Sequence, residues 1–418
     1  MARIAYLSPV PPMSSGVATY SAAVLRDLRE TGFTKHHRLD VPKPRQSLEA
    51  AVARSDVAVY HVGNNLRFHG EIYGLAVRRP GLVVLHDLAL DDLVRGLVDA
   101  ADPLGDRSEA EALAVRRHHR GIVREGPLET PWCALAVRRS RGVVVHAAFG
   151  QRYLEALGCR TPIYVIPHPV PSPPSARVRR LASRIRARHP GRTILGVLGD
   201  IGEAKGIDAV LDAARQLGEA VHVAVVGRRI PGYDVFRSVN ERNMASRVTV
   251  RPNVSDVDFM AWVVASDVVV NLRHPHRGEV SGTLLRAMRA GKPSVVSAVG
   301  SYLDAPEGTV VTIPGGPPDP GMLAATLAPL VRDPGARAAI GRRARAAMER
   351  QQRERVTARA YGAAIGETLR RLRHPAAAPV ERWAAAMADL GVTEREAGRG
   401  FGSEYLEALD EIVARSTI

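Results

Sequence analysis

The sequence predicts an α/β protein of two doubly wound domains with helices at its C-terminal end. Three observations carry that prediction. Short β-branched apolar runs alternate with helix-period segments along most of the chain, the pattern of parallel sheets covered by helices. The alternation breaks at the proline-rich His168-Pro-Val-Pro-Ser-Pro-Pro-Ser175, which can continue neither a helix nor a central strand, and then restarts. The length of 418 residues exceeds one ordinary core and suits two. The expected boundaries are 1–170 for the first domain, 171–350 for the second and 351–418 for the C-terminal helices, the first of which is expected to pack back on the first domain.

The first strand is expected at about Arg3–Leu7. A loop leads from it to a helix capped by Ser15, with Val17, Tyr20, Val24 and Leu28 on one face and Gly32 placed to end it. Further strands are expected at Val57–Tyr60, Leu82–Leu85, Val143–Val145 and Ile163–Ile166, each a continuous apolar run of the kind buried on both faces. Beyond the proline-rich linker, strands are expected at Ile194–Leu198, Val221–Val226, Val248–Val250, Val268–Asn271, Ser294–Ser297 and Val310–Ile313. The helix from Gly206 carries Ile207, Val210, Leu211, Ala214 and Leu217 on one face. The helix after Ser281 runs through Leu284, Leu285 and Met288 and stops at Gly291, with Pro293 just beyond. One charged helix is expected over about Arg337–Arg373. Two amphipathic stretches follow in the tail, one with Trp383, Met387 and Leu390, the other with Tyr405, Leu409 and Ile412, and their spacing reads first as core packing.

Composition narrows the function classes. Hydrophobic content of 45% and charged content of 24% are globular values. The net charge of +15 raises the question of a polyanionic partner, but the excess is nearly all scattered arginine in an Ala-, Val- and Arg-rich chain, as in a GC-rich genome. No basic run interleaves with aromatics as single-strand readers require, so no nucleic-acid partner is expected. Cys133 and Cys159 make neither a disulfide framework nor a zinc site. No signal peptide or membrane span is read, so a cytoplasmic protein with at most a peripheral membrane contact is expected.

Four segments bear chemistry. Pro11-Pro-Met-Ser-Ser-Gly-Val17 joins the first strand to its helix, where free N–H groups attract phosphate and Gly16 permits close approach. Leu198-Gly-Asp-Ile-Gly-Glu-Ala-Lys-Gly206 occupies the equivalent place in the second domain, and Lys205 adds a full charge suited to a diphosphate. Asn271-Leu-Arg-His-Pro-His-Arg-Gly-Glu-Val-Ser-Gly282 crowds Arg273, His274, His276, Arg277 and Glu279 at a strand's carboxyl end, where a carboxylate can accept sugar hydroxyls and arginines can pair with phosphate. His61, His86 and His146 stand at equivalent strand ends, and His86 with adjacent Asp87 is the best candidate for acid–base or sugar-orienting work. The Asp256-Val-Asp258 pair reads as helix capping, and no P-loop, G-x-S-x-G or kinase signature is present.

Taken in order, these segments resemble the retaining glycosyltransferases of family 4, which have the GT-B fold of two facing Rossmann-like domains with a cleft between them. The resemblance covers most of residues 1–373. Gly199 to Gly206 is similar to the family's G-R-x-x-x-x-K-G segment, Val225-Val-Gly227 to its next strand end, and Ser255 to Val270 to the run before its donor loop. Gly278 to Pro293 resembles its donor-site signature, and Ile166-Pro-His-Pro-Val170 the end of its first domain.

The resemblance implies a hexosyltransferase that moves a sugar from a nucleoside-diphosphate donor, a UDP- or GDP-sugar first, to an acceptor hydroxyl with retention. The acceptor is an unspecified glycan, lipid or small molecule. No metal or other cofactor is implied, because cationic side chains and helix starts stabilise the diphosphate. Carried over residue by residue, Lys205 matches the phosphate-binding lysine and His86 the first-domain histidine near the transferred sugar, while Glu279, one position out of register, approximates the first carboxylate of the donor signature. Gly16, similar to a glycine of the family's first phosphate- or acceptor-side loop, is expected to bind substrate together with His61, Asp87, His146, Gly202, Arg228, Arg273, Arg277, Ser281 and Gly282. The charged, irregular segment 102–124 is a candidate shaper of the acceptor site. Two positions depart from the family. Asp200 stands where it has an arginine, a cation that Arg228, Arg273 or Arg277 is expected to replace, and Arg286 stands where it has its second glutamate. The competing readings are another GT-B enzyme, such as a nucleotide-sugar epimerase, and a basic nucleic-acid or anionic-lipid binding protein.

Overall fold

The structure is a computed structural model that describes residues 1–13, 15–43, 46–99, 127–129 and 132–373. The segment 102–124 and both amphipathic stretches of the tail lie outside the described residues. Contacts group the described residues into two units, one of residues 1–99, 132–166 and 357–373, the other of 127–129 and 167–356.

The first unit holds a six-stranded parallel sheet in the order β2-β1-β3-β4-β5-β6. Its strands are β1 Ala2–Leu7, β2 His37–Asp40, β3 Val57–Val62, β4 Leu82–Leu85, β5 Gly142–Val145 and β6 Ile163–Val165. The edge strand β2 is absent from the sequence reading. It is a short, half-exposed His-Arg-Leu-Asp segment, so it lacks the continuous apolar run that marks a strand buried on both faces. The strand β3 runs two residues past its expected end, which puts His61 inside the sheet instead of beyond it. The helix α1, Gly16–Glu30, is capped by Ser15, whose side chain accepts from the Ala18 N–H, and Tyr20, Val24 and Leu28 are buried on its inner face.

The second unit holds another six-stranded parallel sheet, β12-β11-β10-β7-β8-β9. Its strands are β7 Thr193–Leu198, β8 Val221–Gly227, β9 Val248–Pro252, β10 Val268–Asn271, β11 Ser294–Ser297 and β12 Val311–Ile313. Side-chain alternation explains its apolar runs. Leu195, Val197, Val223 and Val225 enter one core with the helix Ile207–Gln216, while Ile194, Leu198, Ala224 and Val226 enter another with Phe259 and Trp262 of the helix Asp256–Ala265. That second helix is capped by Ser255, with Asp256 and Asp258 in its first turn, as the capping reading requires.

At Gly227 the carboxyl ends of β7 and β8 come so close that a Cβ would fall 1.6 Å from the Gly199 carbonyl oxygen. Gly227→Ala is therefore expected to lower stability by roughly 3 kcal/mol or more, from overpacking on rigid backbone. Urea unfolding measures this, and a midpoint equal to the parent's would contradict it.

The expected charged helix over 337–373 is two helices, Pro334–Glu354 and Val356–Arg373. They part at Arg355, whose left-handed φ of 49° ends the first ladder. Arginine carries no turn signal, so the break did not show in the sequence. Tyr361, Ile365 and Leu369 of the final helix join Ile4, Tyr6, Val24 and Leu28 in the core of the first unit.

Candidate active site

Each sheet reverses its strand order once. In the second unit β7 lies between β8 and β10, so the loops leaving β7 and β10 diverge and open a crevice at their carboxyl ends. The two donor-side segments of the sequence are these two loops. Lys205 closes the first, in the 3-10 turn Glu203–Lys205 ahead of the next helix. Its Nζ donates to Asn271 Oδ1 across the crevice at 2.8 Å. Asn271 Nδ2 donates to Ser281 Oγ at 2.7 Å, and Ser281 Oγ accepts from the Leu284 N–H, capping the helix Gly282–Arg289. One buried amide thus ties the lysine to a helix start. A Cβ on Gly282 would meet nothing within 4 Å, so that helix start is open to an incoming group.

Lys205 is only 3% exposed and makes no ion pair with a carboxylate among the described residues. Burial holds its ammonium well below the ordinary 10.5, Arg273 adds to the depression, and Asp200 and Glu279 oppose it. An under-compensated ammonium beside an open helix start is suited to a diphosphate.

Glu279 is fixed through both oxygens. Oε1 accepts from Arg273 Nε at 2.6 Å and Oε2 from the Arg277 N–H at 2.8 Å. Burial pushes its carboxyl up, but Arg273 and the backbone N–H groups outweigh that and leave it below the ordinary value. A carboxylate has more lone pairs than these two bonds use, so it can still accept from sugar hydroxyls.

Arg228 meets Asp200 in a bidentate pair at 3.1 and 2.9 Å, and a bridge between Ile201 and Arg229 extends β7 and β8 to hold the two together. Arg228 and Arg273 are two of the three arginines expected to stand in for the missing phosphate cation. Each is neutralised by a carboxylate, Asp200 for one and Glu279 for the other. Gly202 is extended just before the 3-10 turn, facing Ile230. Arg286 lays its guanidinium over the Phe259 ring, 5.4 Å from the centroid.

In the first unit the reversal falls at β1, between β2 and β3, and the Gly16 loop leaves from there. A Cβ on Gly16 would meet nothing within 4 Å, so this helix start is open as well. The strand-end histidines form one cluster. His61 Nδ1 lies 3.0 Å from His86 Nε2, and the His86 and His146 rings are 5.0 Å apart. The Tyr20 ring stands edge-on to His86 at 4.7 Å and touches His146 at 5.0 Å. His146 Nδ1 donates to the Ile166 carbonyl at 2.9 Å, and burial pushes its pKa down to about 4. Asp87 accepts the Asn64 N–H at 2.8 Å, which fixes the loop after β3. His61, expected among the substrate contacts, is wholly buried.

Sequence reasoning missed several members of these sites. Asn271 ends the apolar run of β10 with a fully buried amide, and that polar interruption was a usable signal. Tyr302, buried beside Arg273 and Glu279, and Tyr361, whose hydroxyl bonds that of Tyr20, come from distant segments and gave none.

Residues 192–333 match the family model described as Glycosyl transferases group 1. No curated protein sequence matches the chain significantly. Solved structures align over most of its length. Sucrose-phosphate synthase from Thermosynechococcus elongatus covers 90% of this chain and 100% of its own, at 17% identity and a TM-score of 0.62. HepE of Anabaena, solved with UDP-glucose, covers 88% and 99% at 16% identity and a TM-score of 0.59. WaaG, a glycosyltransferase involved in lipopolysaccharide biosynthesis, covers 87% and 100% at 16% identity and a TM-score of 0.56. At these identities the likeness is one of fold, the α/β GT-B architecture of glycosyltransferase structures. No helix among the described residues is long and apolar enough to cross a membrane.

Proposed function

We propose that this chain transfers a hexose from a nucleoside-diphosphate sugar to an acceptor hydroxyl, with retention and without a metal ion. The observation that carries the reading is Lys205, a buried ammonium with no carboxylate partner among the described residues, in the crevice between the β7 and β10 loops of the segment that matches the glycosyltransferase model. In this reading residues 171–350 bind the donor and residues 1–170 serve the acceptor. The bond from the anomeric carbon to the diphosphate oxygen breaks, one to the acceptor oxygen forms, and the acceptor's proton passes to the departing diphosphate. Lys205 and the open helix start at Gly282 take the charge that develops on the leaving diphosphate. Glu279 holds donor hydroxyls, with Arg273 and Arg277 fixing it, and His86 orients the transferred sugar. A UDP-sugar is favoured as donor by the likeness to HepE, solved with UDP-glucose. The free cysteines Cys133 and Cys159 suit a cytoplasmic protein.

A thermal-shift panel of UDP, GDP, ADP and dTDP, followed by incubation with the matching sugar nucleotides, tests the proposal. A nucleotide at about 100 times its Kd should stabilise the fold by about 2.7 kcal/mol. The expected result is a shift with one or two nucleotides and release of that nucleotide from its sugar conjugate. No shift with any of them, together with steeply salt-dependent binding to a polyanion, would sink it.

A further inference from the structure

The histidine cluster of the first unit holds more than a sugar-orienting side chain. We propose that His61 is a positioning residue that fixes His86 in a single tautomer, so that His86 acts as a hydrogen-bond donor through Nδ1–H and not as a base. The inference deepens the role given to His86 above and rests on that reading.

His61 is 0% exposed and packs among the rings of Tyr6, Tyr20 and Tyr361, so no ligand touches it. Its polar link toward the site is the 3.0 Å contact from Nδ1 to His86 Nε2, in which one nitrogen must donate. His61 Nε2 decides which. That atom is buried and has no hydrogen-bond partner among the described residues. If His61 accepted at Nδ1, its single proton would sit on Nε2 as an orphaned N–H, the rarest kind of unsatisfied group in a folded protein. With the proton on Nδ1, His61 donates to His86 and no N–H is orphaned.

A doubly protonated His61 is excluded by its surroundings. The groups facing it are Tyr6 of β1, Tyr20 of α1, His86 beyond β4, His146 beyond β5, His69 of the helix Leu66–Arg78 and Tyr361 of the final helix, and none is a carboxylate. Burial and then the neighbouring histidines hold its pKa well below the usual value. Two neighbours have the same tautomer on firmer ground. His69 and His146 direct Nδ1 at the carbonyl oxygens of His61 and Ile166, at 3.0 and 2.9 Å, and a carbonyl can only accept. His86 then takes the His61 proton at Nε2 and carries its own on Nδ1. Its basic nitrogen is engaged, so what it can offer a sugar hydroxyl is an N–H and not a lone pair.

The tautomer can be read without substrate. In the full-length protein labelled with 15N-histidine, long-range proton–nitrogen correlation at neutral pH should show His86 protonated at Nδ1 and bare at Nε2. A His86 protonated at Nε2 overturns the proposal, whether or not the chain proves to be a transferase. Kinetics give the second arm. His61→Asn places an amide N–H where the imidazole Nδ1–H stands and should retain most of kcat, while His61→Leu should lose about tenfold in kcat with the nucleotide thermal shift unchanged. Equal losses in the two variants would also overturn it, since that outcome marks His61 as packing alone.

Discussion

Lys205→Ala is expected to cut kcat by about 10²–10³-fold, the cost of removing one preorganised donor from a developing anion. The geometry says why the loss should be so large. Arg228 and Arg273 lie nearby, but each is already paired with a carboxylate, and neither is expected to make up the loss in full. Among the described residues Lys205 has only the neutral Asn271 amide as its polar partner. The same arrangement sets two further signs. Because the folded pKa is lowered, the unfolded chain binds the lysine proton more tightly, and stability rises with pH between the depressed folded value and the ordinary 10.5. Lys205→Met, which keeps the volume and removes the buried charge, should therefore be at least as stable as the parent at neutral pH while losing activity. Diphosphate binding restores a counter-charge and raises the lysine pKa, so it takes up protons over that same window, and nucleotide affinity should fall as pH climbs through it. Steady-state rates, thermal unfolding and calorimetry in two buffers of different ionisation enthalpy measure the three. An active Lys205→Ala variant would remove the main support for the proposed donor site.

How much of this was legible in the sequence depended on how local each signal is. The parallel strands were readable because both their faces are buried and the apolar run is continuous, as in Val221–Gly227. The edge strand His37–Asp40 has a solvated side and was missed for that reason. Lys205 and Glu279 were readable because a strand-to-helix loop announces itself within ten residues or so. What each pairs with was not. Lys205 meets Asn271 across 66 residues, and Tyr20 meets Tyr361 across 341. The distinction between arginines spent on carboxylates and a lysine left with an amide is likewise a property of packing. Arg286 shows the limit from the other direction. Its departure from the family pattern was visible in the sequence, but its seat on Phe259 was not.

His86→Ala is the second large effect, and the two units make it separable from the first. His86 belongs to the first unit, whereas Lys205, Asn271, Glu279 and Ser281 all belong to the second. Loss of the imidazole should therefore lower kcat by about 10²-fold or more through misplacement of the reacting groups, while the thermal shift with nucleotide is retained. Lys205→Ala should lose both. The choice of replacement sharpens the chemistry. If His86 acts as a donor from Nδ1, then His86→Asn, whose amide N–H falls near that atom, should recover part of the activity that His86→Gln, which imitates Nε2, does not. Equal recovery by the two, or full turnover in His86→Ala, would rule out the donor role. Tyr20 offers an internal control on geometry. Its ring stands edge-on to His86 and its hydroxyl bonds that of Tyr361, so Tyr20→Phe keeps the ring contact and removes the link to the final helix. Its kcat should stay closer to the parent's than that of any His86 variant, because the contact that touches His86 survives.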